Sequence, residues 1–74
     1  MTPEQCRAAR GWLDLSQSEL ADAAKVSLST VRDFEKGRRT PIGNNLTAMV
    51  GALTARGIGF QESGLTGPSR DEPV

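Results

Sequence analysis

A chain of 74 residues is long enough for one small domain, with a core confined to a single layer between a few helices. Its nine basic and nine acidic residues cancel, so it lacks the strongly basic composition that would by itself indicate a nucleic-acid-binding protein. One cysteine and no histidine exclude an intrachain disulfide and leave no ligand set for a zinc site.

The composition also indicates the cellular location of the protein. Small secreted domains usually depend on disulfides or metals, and no apolar run approaches the ~20 residues of a membrane span. The N-terminal residues do not show the basic and then apolar layout of a signal peptide. We therefore expect a cytoplasmic protein that uses no membrane, no cofactor, no metal and no small-molecule ligand.

The first helix is predicted over residues 3–13. Thr2 is a suitable N-cap, Pro3 stands where its missing N–H costs nothing, and Gln5 can complete a capping box. Cys6 is expected to be a small buried apolar side chain on the inner face of this helix, rather than a reactive thiol. Trp12 is expected to lie half-buried against the end of the chain, with a partner surface as the alternative.

Two short helices are predicted next, near residues 17–24 and 28–36. Ser16 and Ser27 are suitable N-caps for them. Gly37 ends the second of these helices, because glycine takes the left-handed conformation after a helix without strain. Helices this short bury little alone and must pack across one another, which is the geometry of a helix-turn-helix.

A fourth helix is predicted near residues 45–56, with Asn44 or Asn45 as its N-cap. Gly51 costs this helix about 1 kcal/mol relative to alanine, and the close approach of another helix would explain its presence. Gly57 is suited to the left-handed position after the helix.

The folded part is expected to end near residue 60. The residues that follow are rich in glycine, proline and charge, with little to bury. The sequence therefore predicts a helix-turn-helix domain over residues 1–60 and a disordered tail over residues 61–74.

The central segment carries a combination of side chains at these positions: Gln17, Leu20, Ala21, Ala24, Val26, Ser27, Val31, Phe34, Glu35, Gly37, Arg39 and Pro41. This combination resembles the Cro/C1-type (XRE) helix-turn-helix family, and the resemblance covers residues 2–60. It implies an all-α fold: a small lambda-repressor-like DNA-binding domain of four to five helices. The second helix of the motif would enter the major groove of DNA.

The resemblance also implies contacts with DNA phosphates. Arg10 is expected to pair with Glu35 and to point toward the DNA backbone. Ser16 and Gln17 open a helix whose dipole and free N–H groups favour an anion. The turn after the third helix is expected to lie along the backbone through Lys36, Arg38, Arg39 and Thr40. The alternative for Arg10, Glu35 and Gln17 is a solvated polar side chain without a DNA role. The alternative for the basic run is that it only complements the C-terminus of the third helix.

The helical period places Val31 and Phe34 inward, which leaves the opposite side of this helix free. By the same resemblance, Ser27, Leu28, Ser29 and Asp33 face the bases, and the helical period adds Arg32, which can reach a guanine or a phosphate. Ser29 can bond several base edges, and Leu28 can contact a thymine methyl group. Asp33 repels phosphates but can accept a hydrogen bond from cytosine; a surface acid without a DNA role is the alternative.

We expect a sequence-specific transcriptional regulator that represses genes in a bacterium or phage and associates with the nucleoid. Its partner would be double-stranded DNA, bound by a homodimer that forms in solution or only on DNA. Trp12, Ile58 and Phe60 are the apolar residues left to build the dimer contact. No general-base side chain is available to activate a serine or cysteine nucleophile, so we do not expect an enzyme. The alternative, favoured by the neutral net charge and Asp33, is a protein-interaction module of the same fold, such as an antitoxin or anti-repressor component.

Overall fold

The computed structural model describes residues 1–69. Four helices lie in this part of the chain: α1 (Pro3–Leu13), α2 (Gln17–Ala24), α3 (Leu28–Glu35) and α4 (Gly43–Thr54). Two short strands follow them: β1 (Gly59–Phe60) and β2 (Leu65–Thr66). The predicted all-α fold with a central helix-turn-helix is confirmed. In place of a fifth helix, the described chain ends in a two-stranded hairpin.

Hydroxyl side chains start the first three helices. Thr2 and Ser16 each form a complete capping box with the residue three positions later. The hydroxyl of Ser27 accepts a hydrogen bond from the backbone N–H of Thr30. Because each cap satisfies an N–H group that the helix leaves free, all three starts fall where the sequence predicts them.

The start of α4 differs from its prediction. Ile42 is the N-cap and makes no side-chain capping hydrogen bond, while Asn44 and Asn45 lie inside the helix. The predicted asparagine cap is therefore wrong. Gly51 is exposed, and a Cβ atom added there would meet nothing within 4 Å. Close approach of another helix thus does not explain this glycine.

A left-handed residue lies within two positions of the C-terminal end of each of the first three helices. Gly37 has a φ of 72°, and the next backbone N–H bonds to the carbonyl of Asp33 at 2.9 Å, as in a Schellman motif. Asp14 and Lys25 take the same conformation with φ values of 58° and 57°. These two turns carry no glycine, so the sequence pattern gave no sign of their conformation.

The apolar core lies where α2 packs against α3 and α4. Its buried side chains come from all four helices and from the residue that precedes β1: Cys6, Ala9, Leu20, Ala21, Ala24, Val31, Phe34, Met49, Ala52, Leu53 and Ile58. Burial of each large aliphatic side chain contributes about 1.5–3 kcal/mol. This core holds α2 and α3 in a fixed relation, which positions the surface described below.

The hairpin pairs Gly59 with Thr66 and Phe60 with Leu65 in antiparallel register. This ordered structure differs from the disorder predicted from residue 61 onward. The remainder of that prediction, residues 70–74, lies outside the described residues.

Two side chains of α1 hold the hairpin segment. The amide of Gln5 donates to the carbonyl oxygens of Gln61 and Gly64 at 2.6 and 2.8 Å. The indole N–H of Trp12 donates to the carbonyl of Pro68 at 3.1 Å. Trp12 therefore packs against the end of the described chain, as the sequence analysis expects. Both anchors span more than 50 positions, so no local sequence signal reveals them.

Candidate nucleic-acid interface

The outer face of α3 is the first part of the candidate interface. Val31, Phe34 and Glu35 are buried, whereas Ser29 and Arg32 are exposed. Leu28 and Asp33 are half-buried. Ser29 and Asp33 lie one helical turn apart, so they share one side of the helix.

The N-terminus of α3 joins two of the predicted base-facing hydroxyl groups. Ser27 Oγ lies 2.7 Å from the hydroxyl of Thr30 and 3.1 Å from that of Ser29. It also accepts the capping hydrogen bond from the N–H of Thr30 at 3.1 Å. The Ser27 hydroxyl thus caps the helix, while the Ser29 side chain is exposed on its first turn.

A shallow surface groove runs between α3 and the segment that leads into α4. It is lined by Ser29, Thr30, Asp33, Arg39, Thr40, Pro41, Ile42 and Asn45. Asp33 therefore lies beside the basic turn rather than apart from it. Ile42, with 68% of its surface exposed, adds an apolar rim that the sequence analysis did not include.

The turn that leaves α3 is basic and open to solvent. Lys36, Arg38, Arg39 and Thr40 are all exposed. Within residues 1–69, the one ion pair joins Arg10 to Glu35 and involves none of these four residues. The charges of Lys36, Arg38 and Arg39 are therefore not neutralised by another side chain of the described residues and can meet an anionic partner.

The N-terminus of α2 contributes Ser16 and Gln17 to the candidate interface. Ser16 Oγ accepts from the N–H of Glu19 at 3.0 Å, so it acts as a cap. Gln17 is half-buried, and its amide donates to Glu35 Oε1 at 3.0 Å. Gln17 is thus attached to the end of α3 as well as to its own helix.

Glu35 is the centre of a polar cluster formed with Arg10, Gln17 and Cys6. Arg10 donates to both carboxylate oxygens, from Nε to Oε2 and from Nη2 to Oε1, at 2.6 Å each. Its Nη1 donates to the carbonyl of Leu15 at 3.0 Å. The Cys6 thiol donates to Oε2 at 3.1 Å. Each carboxylate oxygen therefore has two donors, which is the capacity of the group.

The cluster explains the ionisation of its members. Burial alone would raise the pKa of Glu35, but the hydrogen bonds from Arg10, Gln17 and Cys6 outweigh it and hold this pKa below its usual range. The hydrogen bond to Glu35 raises the pKa of Arg10. Burial, reinforced by Glu35, raises the pKa of Cys6 to about 12. The thiol therefore keeps its proton at neutral pH and acts as a donor.

The structure brings together the two sides of the predicted phosphate-facing set. Arg10 and Gln17 meet at Glu35, while the basic turn follows directly after it. The sequence pattern does not indicate that Cys6 belongs to this cluster. Nor does it indicate the contact of Arg7, which donates to the backbone carbonyl of Glu35. Periodicity places Cys6 on the inner face but does not reveal which polar group it meets there.

One expected dimer residue is not available on the surface. Ile58 is 2% exposed and belongs to the core, so its assignment to a dimer contact is wrong. Trp12 retains 38% exposure, and Phe60 is half-buried.

A family model described as Helix-turn-helix matches residues 7–58, which is more than half of the chain. The chain belongs to the Cro/C1-type helix-turn-helix family. The match includes α2, α3 and the turn between them, together with Arg10 and Glu35. It supports a DNA-binding helix-turn-helix regulator.

No curated protein matches the chain. Among the described helices, none is both long enough and apolar enough to cross a membrane. Residues 1–69 also contain no group of three or more side chains placed to hold a metal ion.

Proposed function

We propose that this protein is a transcriptional repressor that inserts α3 into the major groove of double-stranded DNA. The observation that carries this proposal is the exposed basic turn beside the outer face of α3, which makes no ion pair within residues 1–69. Residues 27–41 contain four basic and two acidic side chains, and one of the two acids, Glu35, is paired with Arg10. The surface is therefore locally basic although the chain is neutral.

In this proposal, the phosphate contacts come from both sides of the recognition helix. Lys36, Arg38, Arg39 and Thr40 contact one stretch of backbone, and Ser16 and Gln17 contact another through the N-terminus of α2. Arg10 commits three of its N–H groups to Glu35 and Leu15. It retains two for a phosphate, because a guanidinium group carries five.

The base contacts come from the outer face of α3, with Ser29 and Asp33 at its centre and Leu28 and Arg32 beside them. Ser27 contributes through the hydroxyl pair that it forms with Ser29. One such helix covers too few base pairs to specify a unique site. Two copies on a palindrome, with half-site centres about 34 Å apart, would supply the rest.

The salt dependence of DNA binding tests the phosphate contacts. Replacing Arg39 with alanine should weaken binding to every duplex alike. It should also reduce the slope of log affinity against log salt by about 0.9, because one phosphate contact no longer releases a counterion. Fluorescence anisotropy with a labelled duplex of about 20 base pairs measures both quantities.

Arg56→Ala is the matched control, since Arg56 lies beyond the far end of α4 and bonds to the carbonyl of Ala52. It should leave the slope unchanged. If the wild-type protein shows no salt-dependent binding to duplex DNA at low salt, the proposal is wrong. A protein-interaction role for the same fold would then be favoured.

Selection from randomised duplexes tests the part of Asp33. Its replacement with alanine should strengthen binding to non-specific DNA and relax the preference at one base pair by about 1–3 kcal/mol. Glu62→Ala makes the same charge change in the exposed hairpin loop and should leave the selected site unchanged. Identical selected sites for wild type and Asp33→Ala would show that Asp33 reads no base.

A further inference from the structure

Cys6 stands apart from the other core residues of α1. Its side chain is fully buried, yet its sulfur lies 3.1 Å from a carboxylate oxygen rather than only among apolar groups. A purely apolar residue at this position would leave that lone pair of Glu35 without its second donor. The thiol therefore has a directional contact that its burial alone does not require.

The contact is directed at the oxygen that Gln17 does not use. Cys6 and the Nε of Arg10 donate to Oε2, while Gln17 and the Nη2 of Arg10 donate to Oε1. With two donors on each oxygen, rotation of the carboxylate about its last bond breaks hydrogen bonds on both sides. Within the described residues, no buried side-chain nitrogen or oxygen lacks a hydrogen-bond partner, so no orphaned buried group stands ready to take the place of the thiol.

The orientation of Glu35 matters because it fixes Gln17. The Gln17 amide uses one N–H on Oε1, which leaves its second N–H and its carbonyl oxygen in a defined direction at the N-terminus of α2. A preoriented donor loses less conformational entropy when it binds a phosphate than a freely rotating one. The chain of contacts thus runs from Cys6 through Glu35 to Gln17.

We propose that Cys6 is a positioning residue for DNA binding: its thiol holds the Glu35 carboxylate in the orientation that presents the Gln17 amide to a phosphate. This inference rests on the proposed DNA-binding function. Cys6 itself contacts no DNA in this arrangement, because it is buried.

The test compares three variants on a random-sequence duplex of about 20 base pairs, since phosphate contacts do not depend on sequence. Cys6→Ala removes the donor and should weaken binding by about threefold to tenfold, in keeping with one lost hydrogen bond. Cys6→Ser keeps a donor and should restore affinity to within about twofold of wild type. Circular dichroism melts of each variant allow affinities to be compared at a temperature where all are folded.

A double-mutant cycle separates positioning from general loosening of the fold. In a Gln17→Ala background, Cys6→Ala should cause no further loss of affinity, because the residue that Cys6 positions is absent. An equal loss in both backgrounds would overturn the inference. So would wild-type affinity of Cys6→Ala, or a failure of Cys6→Ser to restore binding while its melting temperature matches wild type.

A measurement without DNA distinguishes this inference from the proposed function. The side-chain amide resonances of Gln17 in the nuclear magnetic resonance spectrum of the free protein should shift in Cys6→Ala and return in Cys6→Ser. If they do so while no duplex binds, the positioning is correct and the DNA-binding proposal fails. Unchanged resonances in Cys6→Ala would reject the positioning itself.

Discussion

The contact between α2 and α4 and the cluster around Glu35 hold the same fold by different means. The first uses apolar side chains such as Leu20, Met49 and Leu53, all fully buried. The second uses a carboxylate with four donors from three side chains. Apolar burial is non-directional, whereas hydrogen bonds fix angles as well as distances. Both contacts stabilise the domain, but only the second also fixes the direction in which its side chains point.

The largest effect should come from the apolar contact. Leu20→Ala removes a fully buried side chain and should lower the free energy of unfolding by about 2–5 kcal/mol, from lost transfer energy and the cavity that remains. Urea denaturation followed by circular dichroism measures the change. Leu65→Ala, at a half-buried hairpin position, is the control and should lose clearly less. An equal loss in both variants would mean that the core is not centred on α2.

Arg10→Lys tests the directional contact with the charge retained. An ammonium group cannot reproduce the two parallel bonds that Arg10 makes to Glu35. We expect a loss of about 1–3 kcal/mol in the free energy of unfolding, since hydrogen bonds to charged groups are involved. Met49→Leu, a swap of similar volume in the apolar core, should cost less than about 1.5 kcal/mol. The reverse order would contradict the contrast between the two regions.

The dependence of the unfolding free energy on acidic pH tests the same contrast. Because the folded pKa of Glu35 lies below the ordinary glutamate value of 4.5, the unfolded chain binds this proton at a higher pH than the folded protein does. The contribution of Glu35 should therefore be complete above about pH 4.5 and be lost as the pH falls through the lower folded pKa. Glu35→Gln should therefore make the free energy of unfolding less dependent on pH in this acidic range. Urea denaturation at each pH measures that free energy.

The ionised carboxylate of Glu19 also stabilises the folded state, since hydrogen bonds from Ser16 lower its pKa. Glu19→Gln therefore serves as the comparison for Glu35→Gln. If both variants reduced the pH dependence of the unfolding free energy equally, the buried cluster would contribute no more to acid sensitivity than the exposed cap does.

The smallest effect is expected on the outer side of α4. Gly51→Ala should raise the free energy of unfolding by about 0.5–1 kcal/mol, because alanine favours the helix and nothing lies within 4 Å of its new Cβ. Thermal melts by circular dichroism measure the gain. Gly57→Ala is the opposite control: with a φ of 98°, it should destabilise. A loss of stability in Gly51→Ala would mean that this face of α4 is packed.

The helices were predictable because their determinants are local. Thr2, Ser16 and Ser27 cap through residues three positions away, and Gly37 supplies the left-handed residue after α3. The start of α4 was not predictable in this way, since Ile42 caps it without a side-chain hydrogen bond. This helix therefore lacks the local capping signal that marks the starts of the first three helices.

The candidate site was predictable only in part. The pairing of Arg10 with Glu35 was expected from the family resemblance, whereas nothing in the spacing of the sequence indicated that Cys6 and Gln17 share the same carboxylate. The contact between α1 and the hairpin was unpredictable for the same reason, because the Gln5 amide bonds to Gln61, which lies 56 positions away in the sequence. Contacts of this kind depend on how the helices pack, which periodicity does not specify.

The single indole of this chain gives the end of the described structure its own optical signal. Trp12 is the only tryptophan, and the chain contains no tyrosine, so near-ultraviolet emission comes almost entirely from a ring that is bonded to Pro68. Gly67 lies so close to this ring that an added Cβ would fall 2.5 Å from it. Emission from Trp12 will therefore follow the release of this segment from α1, while far-ultraviolet circular dichroism follows the helices. A fluorescence transition that precedes the dichroism transition would record the detachment of the chain end from an intact helical core.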